Sequence, residues 1–376
     1  MNSKYLKIIT LVILLVLAGS WFTFSLIKLI WVPPAPSIEP IDEIEPIVGS
    51  WQSEIVAQDL DIPWDLLWLD NEIYFTERSG RLRVVRSNGQ VETIAVLDEV
   101  YHFGEGGLLG MASHPDFASN RQLYLYFTYQ SPNGVFNRVS RFNLSKTGEL
   151  NNEIIVIDNI PAGQIHNGGR IAFGPDGYLW ILTGDAGQPT LAQSPNSLAG
   201  KILRLADDGV IPEDNPWSGL PTYSIGHRNP QGLVWTPTGD LLATEHGSSA
   251  YDEINKIEAG KNYGWPVVQN CNSQDPKFKN PIFCSGVETW APSGITSLSQ
   301  DQLVFAGLRS QSLWLADLKT DEVSVLIDGF GRLRAVIKVP DGSLYLITSN
   351  QDGRGQPTSD DDKIIKLTLT KEYENN

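Results

Sequence analysis

A short turn followed by a strand of mostly apolar residues recurs six times along this chain. The turns are Asp70-Asn71, Ser119-Asn120, Asp176-Gly177, Thr238-Gly239, Gln300-Asp301 and Asp341-Gly342, and they precede EIYFTE, RQLYLYFT, YLWILTGD, DLLATEHG, QLVFAGLR and SLYLITSN. Their first residues lie 49, 57, 62, 62 and 41 residues apart, near the roughly 40 to 50 residues of a four-stranded propeller blade. Several copies continue into another strand (RLRVV, KILRL, SLWLADL), and no long helical period is present. The repeats therefore predict an all-β fold, a six-bladed β-propeller with four-stranded antiparallel blades.

A ring of blades closes when a strand from one chain end completes a blade formed by the other. The segment KIIKLTL, residues 363–369, fits this role near the C-terminus. We expect residues 51–369 to form a single six-bladed propeller domain and residues 370–376 to form a polar C-terminal tail.

The N-terminus carries a signal for export. Lys4 and Lys7 precede an uncharged apolar run at residues 8–27, long enough to cross a bilayer as a helix. Cleavage of a signal peptide after the small-residue site at 16–18 is the alternative, but apolar residues continue beyond that site. We expect residues 1–31 to be a transmembrane signal anchor or signal peptide. Residues 32–50 then form a Pro-rich acidic linker that leads to an extracytoplasmic domain.

Charge and cysteine content narrow the possible partners. The chain has 28 basic and 44 acidic side chains, a net charge of −16, which argues against a nucleic-acid partner. Its two cysteines, Cys271 and Cys284, lie in one Pro/Asn-rich segment. In an exported protein a local disulfide is the natural interpretation, and two buried thiols are the alternative.

Polar residues follow the apolar part of most repeats, where loops of a propeller converge on its axis. These candidate site residues are Glu77, Arg78, Thr183, Gly184, Asp185, Glu245, His246, Gly247, Arg309, Ser349, Asn350 and Asp352. Because loops from different blades meet at one mouth of the ring, residues remote in sequence are expected to form one site.

Three further loops carry residue types suited to chemistry. GQIHNGGRIAFGPDG exposes His166 in a Gly-rich turn, where an imidazole can act as a base or serve only the structure. GHRNPQG presents Arg228 and Asn229 in a rigid turn with donors for an anionic group. In EHGSSAYDEIN, backbone carbonyls with Asp252 or Glu253 can hold calcium, although such carboxylates are also common in solvated turns.

These loops, taken in order, resemble the glucose/sorbosone dehydrogenase family. The motifs are EGGLLGMASHPDF, HNGGRIAFGPDG with TGDAG, LAGKILRL, GHRNPQGL, EHGSSAYDEINKIEAGKNYGWP and APSGI. The resemblance implies a six-bladed propeller that binds pyrroloquinoline quinone (PQQ) and Ca²⁺ near the axis. It also implies PQQ-dependent oxidation of aldose sugars to lactones, with electrons passed to a respiratory acceptor.

The resemblance also implies catalytic and quinone-binding residues. His166 matches the general base, Asp185 matches its acidic partner, and Arg228 with Asn229 match the donors to the quinone oxygens. Glu105 stands where the soluble glucose dehydrogenase branch has Gln. It can orient His166 or cap the Gly-rich turn, and both roles stay open.

Charged residues and carbonyls complete the implied site. Arg309, Arg332 and Arg334 match cationic residues that pair with the cofactor carboxylates, and the carbonyls of Gly247 and Ser248 match calcium ligands. Lys stands at Arg309 and Pro at Ser248 in the glucose dehydrogenase branch, so glucose is not assured as the substrate. Insertions typical of that branch's dimer are absent, so a monomer is expected. A calcium-dependent propeller lactonase or hydrolase and a non-catalytic binding module remain as alternatives.

Overall fold

The structure, a computed structural model, describes residues 50–370. Its strands form six four-stranded antiparallel sheets, which confirms the predicted six-bladed propeller. The first strands of neighbouring sheets contact one another around the ring, and the last of them contacts the first; between the third and fourth sheets the contact comes from the second strand of the third sheet. These strands therefore line the axis of a closed ring.

The strand bounds are as follows. The first strand is β1 (Ser50–Ala57), and blade 1 contains β2 (Pro63–Leu69), β3 (Glu72–Glu77), β4 (Arg81–Val85) and β5 (Val91–Val96). Blade 2 contains β6 (Leu108–Ser113), β7 (Gln122–Ser131), β8 (Gly134–Leu144) and β9 (Leu150–Pro161). Blade 3 contains β10 (Ile171–Phe173), β11 (Leu179–Thr183), β12 (Lys201–Leu205) and β13 (Thr222–Ile225).

The second half of the ring follows the same order. Blade 4 contains β14 (Pro230–Trp235), β15 (Leu241–Glu245), β16 (Glu253–Lys256) and β17 (Phe283–Cys284). Blade 5 contains β18 (Pro292–Ser297), β19 (Gln302–Gly307), β20 (Ser312–Asp317) and β21 (Glu322–Asp328). Blade 6 contains β22 (Leu333–Lys338), β23 (Leu344–Thr348) and β24 (Ile364–Thr370), with β1 as its fourth strand.

Ring closure uses the predicted C-terminal segment but in a different blade. β24 pairs antiparallel with β1, from Ser50 opposite Thr370 to Ala57 opposite Ile364. We expected the C-terminal strand to complete the first blade, whereas the N-terminal strand completes the last one. The chain therefore enters the ring on the outer edge of blade 6 before it begins blade 1 at the axis.

The six repeated segments form the second strand of each blade rather than the innermost one. They correspond to β3, β7, β11, β15, β19 and β23. These strands are buried on both faces between neighbouring blades, so they form nearly continuous apolar runs. Three of the innermost strands, β6, β14 and β18, contain a glycine, whereas among the second strands β19 alone contains one.

Helical structure within residues 50–370 is limited to a short helix, α1 (Phe117–Asn120), and a 3₁₀ turn (Pro189–Gln193). In this described part, no helix has the length and apolarity needed to span a bilayer. The predicted anchor at residues 1–31 lies outside the described residues, as do the linker up to residue 49 and the tail from residue 371. Cys271 and Cys284 form a disulfide with Cα atoms 6.0 Å apart, as predicted.

Candidate active site

A cavity of about 380 Å³ opens at one mouth of the ring. In an antiparallel blade, the start of the first strand and the end of the second strand lie on the same face of the ring. The loops before the first strands and after the second strands of all blades therefore meet at this mouth. The predicted residues that line it are Glu105, His166, Arg228, Asn229, His246, Gly247, Ser248, Asp252, Arg309, Arg332 and Arg334. Asp185 lies directly behind the cavity wall, against His166.

His166 lies in the loop before β10 and faces Asp185, the second residue after β11. Its Nδ1 is 2.7 Å from Asp185 Oδ1, and Asp185 is fully buried. A carboxylate only accepts hydrogen bonds, so Nδ1 of the neutral imidazole carries the proton and Nε2 keeps a free lone pair. His166 has φ of +59°, a left-handed conformation unusual for a residue with a side chain. The pair therefore has the form that a general base requires.

Glu105, in the loop before β6, caps the turn that carries His166. Its Oε2 accepts the backbone N–H of His166 at 2.8 Å, and its Oε1 is 2.6 Å from Arg354 Nη1. Burial raises the pKa of Glu105, but Arg354 and the N–H of His166 outweigh burial and hold this pKa below its usual value. Of the two roles left open by the sequence, these contacts support capping.

The loop before β14 brings Arg228 and Asn229 beside the His166 turn. The Asn229 Oδ1 accepts the backbone N–H of Gly168 at 3.1 Å and the Gln231 Nε2 at 3.0 Å. Its carbonyl group is thus occupied, and its amide N–H groups are what it can offer to a ligand. Burial lowers the pKa of Arg228, and its Nε has no hydrogen-bond partner within residues 50–370.

Blades 5 and 6 contribute three arginines in unlike environments. Arg309 is exposed in the loop after β19. Arg332 is buried, and its Nη2 lies 2.7 Å from Asp352 Oδ2. Arg334, also buried, donates from Nη1 to Gln231 Oε1 at 2.9 Å but has no carboxylate partner among the described residues. Burial lowers the pKa of Arg334 to about 9.

The cavity is positively charged in an otherwise acidic protein. It is lined by five arginines (Arg228, Arg309, Arg332, Arg334 and Arg354) but by only two carboxylates (Glu105 and Asp252). Both carboxylates are already engaged by protein donors. Buried cations are normally paired, so this excess favours an anionic ligand.

The loop after β15 places two backbone carbonyls at the cavity. No hydrogen bond within the described residues uses the carbonyl oxygen of Gly247 or Ser248. A Cβ at Gly247 would lie 1.9 Å from the Ala250 oxygen, so the loop requires glycine there. The Asp252 carboxylate fixes this loop by accepting the Gly247 N–H at 2.9 Å.

Asp252 and Glu253 do not supply free calcium ligands to the cavity. Both Asp252 oxygens are engaged, one by Gly247 N–H and the other by donors of residues 289–291. Glu253 opens on a separate small pocket, where burial and the nearby Glu245 raise its pKa to about 8. In the part of the chain that the structure describes, no cluster of three or more His, Cys, Asp or Glu side chains is arranged to hold a metal.

Several other candidates from the repeats have structural contacts. Glu77 is fully buried and pairs with Arg81 and Arg83, and it does not reach the cavity. Arg78 donates to the Gly104 carbonyl. Asn350 accepts the Arg332 backbone N–H at 2.8 Å, so it positions a cavity arginine without lining the site.

The residues that line the cavity without a role from sequence analysis include Trp64, Gln231, His246 and Arg354. Arg354 lies two residues beyond Asp352, after the sixth repeat, and that spacing was a usable signal. His246 was among the repeat-end candidates, and burial lowers its pKa to about 4. Trp64 and Gln231 lie on innermost strands, which the repeats did not mark.

Comparison with known proteins places this geometry among sugar dehydrogenases. The model of the family described as Glucose / Sorbosone dehydrogenase matches residues 60–364. A solved structure of the PQQ-bound form of aldose sugar dehydrogenase from Streptomyces coelicolor is 38% identical, with a TM-score of 0.80. That match covers 86% of this chain and 99% of the Streptomyces chain.

Two curated relatives match at similar levels. An uncharacterized protein of Synechocystis is 36% identical over 374 residues, covering 85% of this chain and 89% of the relative. The aldose sugar dehydrogenase YliI of Escherichia coli is 33% identical over 338 residues, covering 80% of this chain and 90% of the relative.

Proposed function

Since the chain belongs to the glucose/sorbosone dehydrogenase family, we propose that it is an oxidoreductase that uses PQQ and Ca²⁺ to oxidise an aldose sugar at its anomeric carbon to a lactone. The observation that carries the proposal is the excess of arginine side chains around the cavity. A sugar is neutral and cannot balance these charges, whereas PQQ has three carboxylates. The PQQ-bound Streptomyces relative supports the choice of this anion.

The cavity has enough arginines to pair with the three carboxylates of PQQ and to donate to its quinone oxygens. Arg334 lacks a carboxylate partner among the described residues, and Arg309 is exposed at the rim, so both can pair with an anionic ligand. Arg332 is held in place by Asp352 and still lines the cavity. Arg228 and the Asn229 amide are suited to donate to the quinone oxygens.

A calcium ion fits the free carbonyls of Gly247 and Ser248, because hard cations prefer oxygen ligands. With only these two carbonyls contributed by the loop, the remaining ligands would come from the cofactor and from water. A cation held there would supply electrostatic stabilisation of negative charge on a reacting oxygen, and Arg228 lines the same cavity as a second positive group.

We assign proton removal to His166. Its Nε2 takes the proton from the anomeric hydroxyl, and Asp185 stabilises the imidazolium that forms. Glu105 fixes the backbone of this turn. The bound quinone supplies the chemistry of hydride acceptance from C1. Loss of one hydride and one proton converts the cyclic sugar to its lactone.

The cellular setting is proposed from the N-terminal sequence. The apolar run at residues 8–27 supports an extracytoplasmic, membrane-anchored enzyme. Such a position suits transfer of electrons to a respiratory acceptor. A monomer is proposed because insertions of the dimeric branch are absent from the sequence.

Reconstitution of the purified full-length protein tests the proposal. Protein stripped with a chelator should not oxidise aldoses with a dye acceptor, and activity should appear only after PQQ and Ca²⁺ are both added. A quinone absorbance band should appear on binding. Equal activity without PQQ would refute the cofactor assignment, and lactone hydrolysis with calcium alone would favour the lactonase alternative.

A further inference from the structure

Trp265 contacts two of the residues assigned to the reaction, although it does not line the main cavity. Its indole Nε1 donates to Asp185 Oδ2 at 2.8 Å. The guanidinium carbon of Arg228 lies 5.3 Å from the centre of the indole ring. The backbone of Trp265 is anchored on both sides, through its N–H to the Gly226 carbonyl and through its carbonyl to Gln193 Nε2.

The two oxygens of Asp185 have different partners. Oδ1 accepts from His166 Nδ1 at 2.7 Å and from the Gly187 N–H at 2.8 Å. Oδ2 accepts from Trp265, which is its only donor among residues 50–370. Because Asp185 is fully buried, water cannot readily take the place of this donor, and loss of the hydrogen bond costs free energy.

We propose that Trp265 is a positioning residue for proton removal, acting through Asp185 on His166. This inference rests on the proposed function of His166. The indole N–H holds the carboxylate in the rotamer that turns Oδ1 toward Nδ1, which keeps the proton on Nδ1 and leaves Nε2 as the base. It also takes up part of the carboxylate charge, which moderates the attraction between Asp185 and the imidazolium.

Other charged groups surround the imidazole and must stay constant in a test. Glu105 accepts the His166 backbone N–H, Arg354 pairs with Glu105, and Arg228 lines the same cavity. Trp265 makes no hydrogen bond to any of these three groups within the described residues, and Trp265→Phe keeps an aromatic ring beside Arg228. A change in pH dependence that disappears on an Asp185→Asn background can then be assigned to the link between Trp265 and Asp185.

Trp265→Phe removes the N–H and keeps an aromatic ring beside Arg228. We expect kcat to fall about tenfold, which corresponds to about 1.4 kcal/mol of transition-state stabilisation, with KM and PQQ affinity within about twofold of wild type. The acid limb of the kcat profile should move to higher pH, because a carboxylate with one donor fewer holds the imidazolium more strongly.

Trp180→Phe is the matched control. The Trp180 Nε1 donates to Asp176 Oδ1 at 3.2 Å, away from the cavity, so this variant loses the same kind of hydrogen bond. Because Asp176 is exposed whereas Asp185 is buried, the thermal stability should fall less than in Trp265→Phe, and the acid limb should not move. A shift of equal size in both variants would overturn the inference.

A double-mutant cycle separates positioning from general stability. On an Asp185→Asn background, Trp265→Phe should cause little further loss of kcat. A full tenfold loss there would show that Trp265 acts independently of Asp185, contrary to the inference.

NMR of the wild-type protein tests the link between Trp265 and Asp185 without a variant and without the cofactor. In the cofactor-free wild-type protein, NMR should show the Trp265 indole N–H resonance following the titration of the His166 imidazole, while the Trp180 indole does not respond. Absence of this response would overturn the inference even if the enzyme is active. If the wild type oxidises no sugar when PQQ and Ca²⁺ are added, the proposed function fails, while this measurement still tests the link.

Discussion

Arg334 and Arg332 should affect the stability of the cofactor-free protein in opposite directions when each is replaced by Met. Burial lowers the pKa of Arg334 to about 9 from an ordinary 12.5. At about 1.36 kcal/mol for each tenfold change in proton affinity, this corresponds to an unfavourable contribution of up to about 5 kcal/mol. Arg334→Met removes that contribution but leaves Gln231 Oε1 without its donor, which costs about 1 to 3 kcal/mol. We therefore expect a net stabilisation of about 2 to 4 kcal/mol.

Arg332 differs because Asp352 balances its charge at 2.7 Å. Arg332→Met leaves the Asp352 carboxylate, which is buried to a large extent, without its cation, and breaking such a pair typically costs about 3 to 5 kcal/mol. Both variants should bind PQQ about 10 to 100 times more weakly, since a charged hydrogen bond contributes about 1.5 to 3 kcal/mol.

Urea unfolding of the cofactor-free proteins and fluorescence titration with PQQ measure both effects. The size of the stabilisation by Arg334→Met also depends on pH. Between about pH 9 and 12.5 the unfolded chain binds more protons at this residue than the folded one, so the wild type regains stability as pH rises. The advantage of Arg334→Met should be complete below about pH 9 and shrink above it. Destabilisation by Arg334→Met together with unchanged PQQ affinity would refute the reasoning.

Three further substitutions test other parts of the structure. His166→Gln should lower kcat by roughly 10² to 10⁴ fold, the usual contribution of a general base, without changing PQQ affinity or the melting temperature; wild-type turnover would make His166 a structural residue. Lys201→Met should lower the free energy of unfolding by roughly 3 kcal/mol in urea titrations, because the buried Nζ donates to the carbonyls of residues 191, 192, 199 and 200; an unchanged midpoint would contradict this role. Replacing Cys271 and Cys284 together by Ser should cost about 3 kcal/mol, the value expected for a loop of about 15 residues, and wild type treated with reductant should behave alike.

The number of blades could be predicted from sequence because each second strand is buried on both faces and preceded by a turn. The segment that forms β11, for example, contains only apolar residues before a final Thr. Its apolar character differs clearly from the polar turn before it, and this difference is visible in a single sequence. The innermost strands could not be recognised in this way. β10 has only three residues, and glycines surround it because the channel requires close backbone approach.

The site was predictable where a motif carries its chemistry and unpredictable where contacts decide the role. His166 and Arg228 stand out in Gly-rich and Pro-rich turns. The role of Glu105, in contrast, depends on which atom of His166 it reaches, and this is a property of two loops 61 residues apart. Likewise, nothing in the sequence distinguishes Arg332 from Arg334, although within residues 50–370 Arg332 has a carboxylate partner and Arg334 has none.

The unbalanced arginines connect stability with function. A ligand that binds only the folded state stabilises it in proportion to the logarithm of its concentration over Kd. Because the cofactor-free fold carries the cost of Arg334, an anionic ligand both binds there and removes that cost. PQQ should therefore raise the melting temperature of the wild type more than that of Arg334→Met. The same unpaired Arg334 charge lowers the folding stability of the cofactor-free protein and raises its affinity for an anionic cofactor.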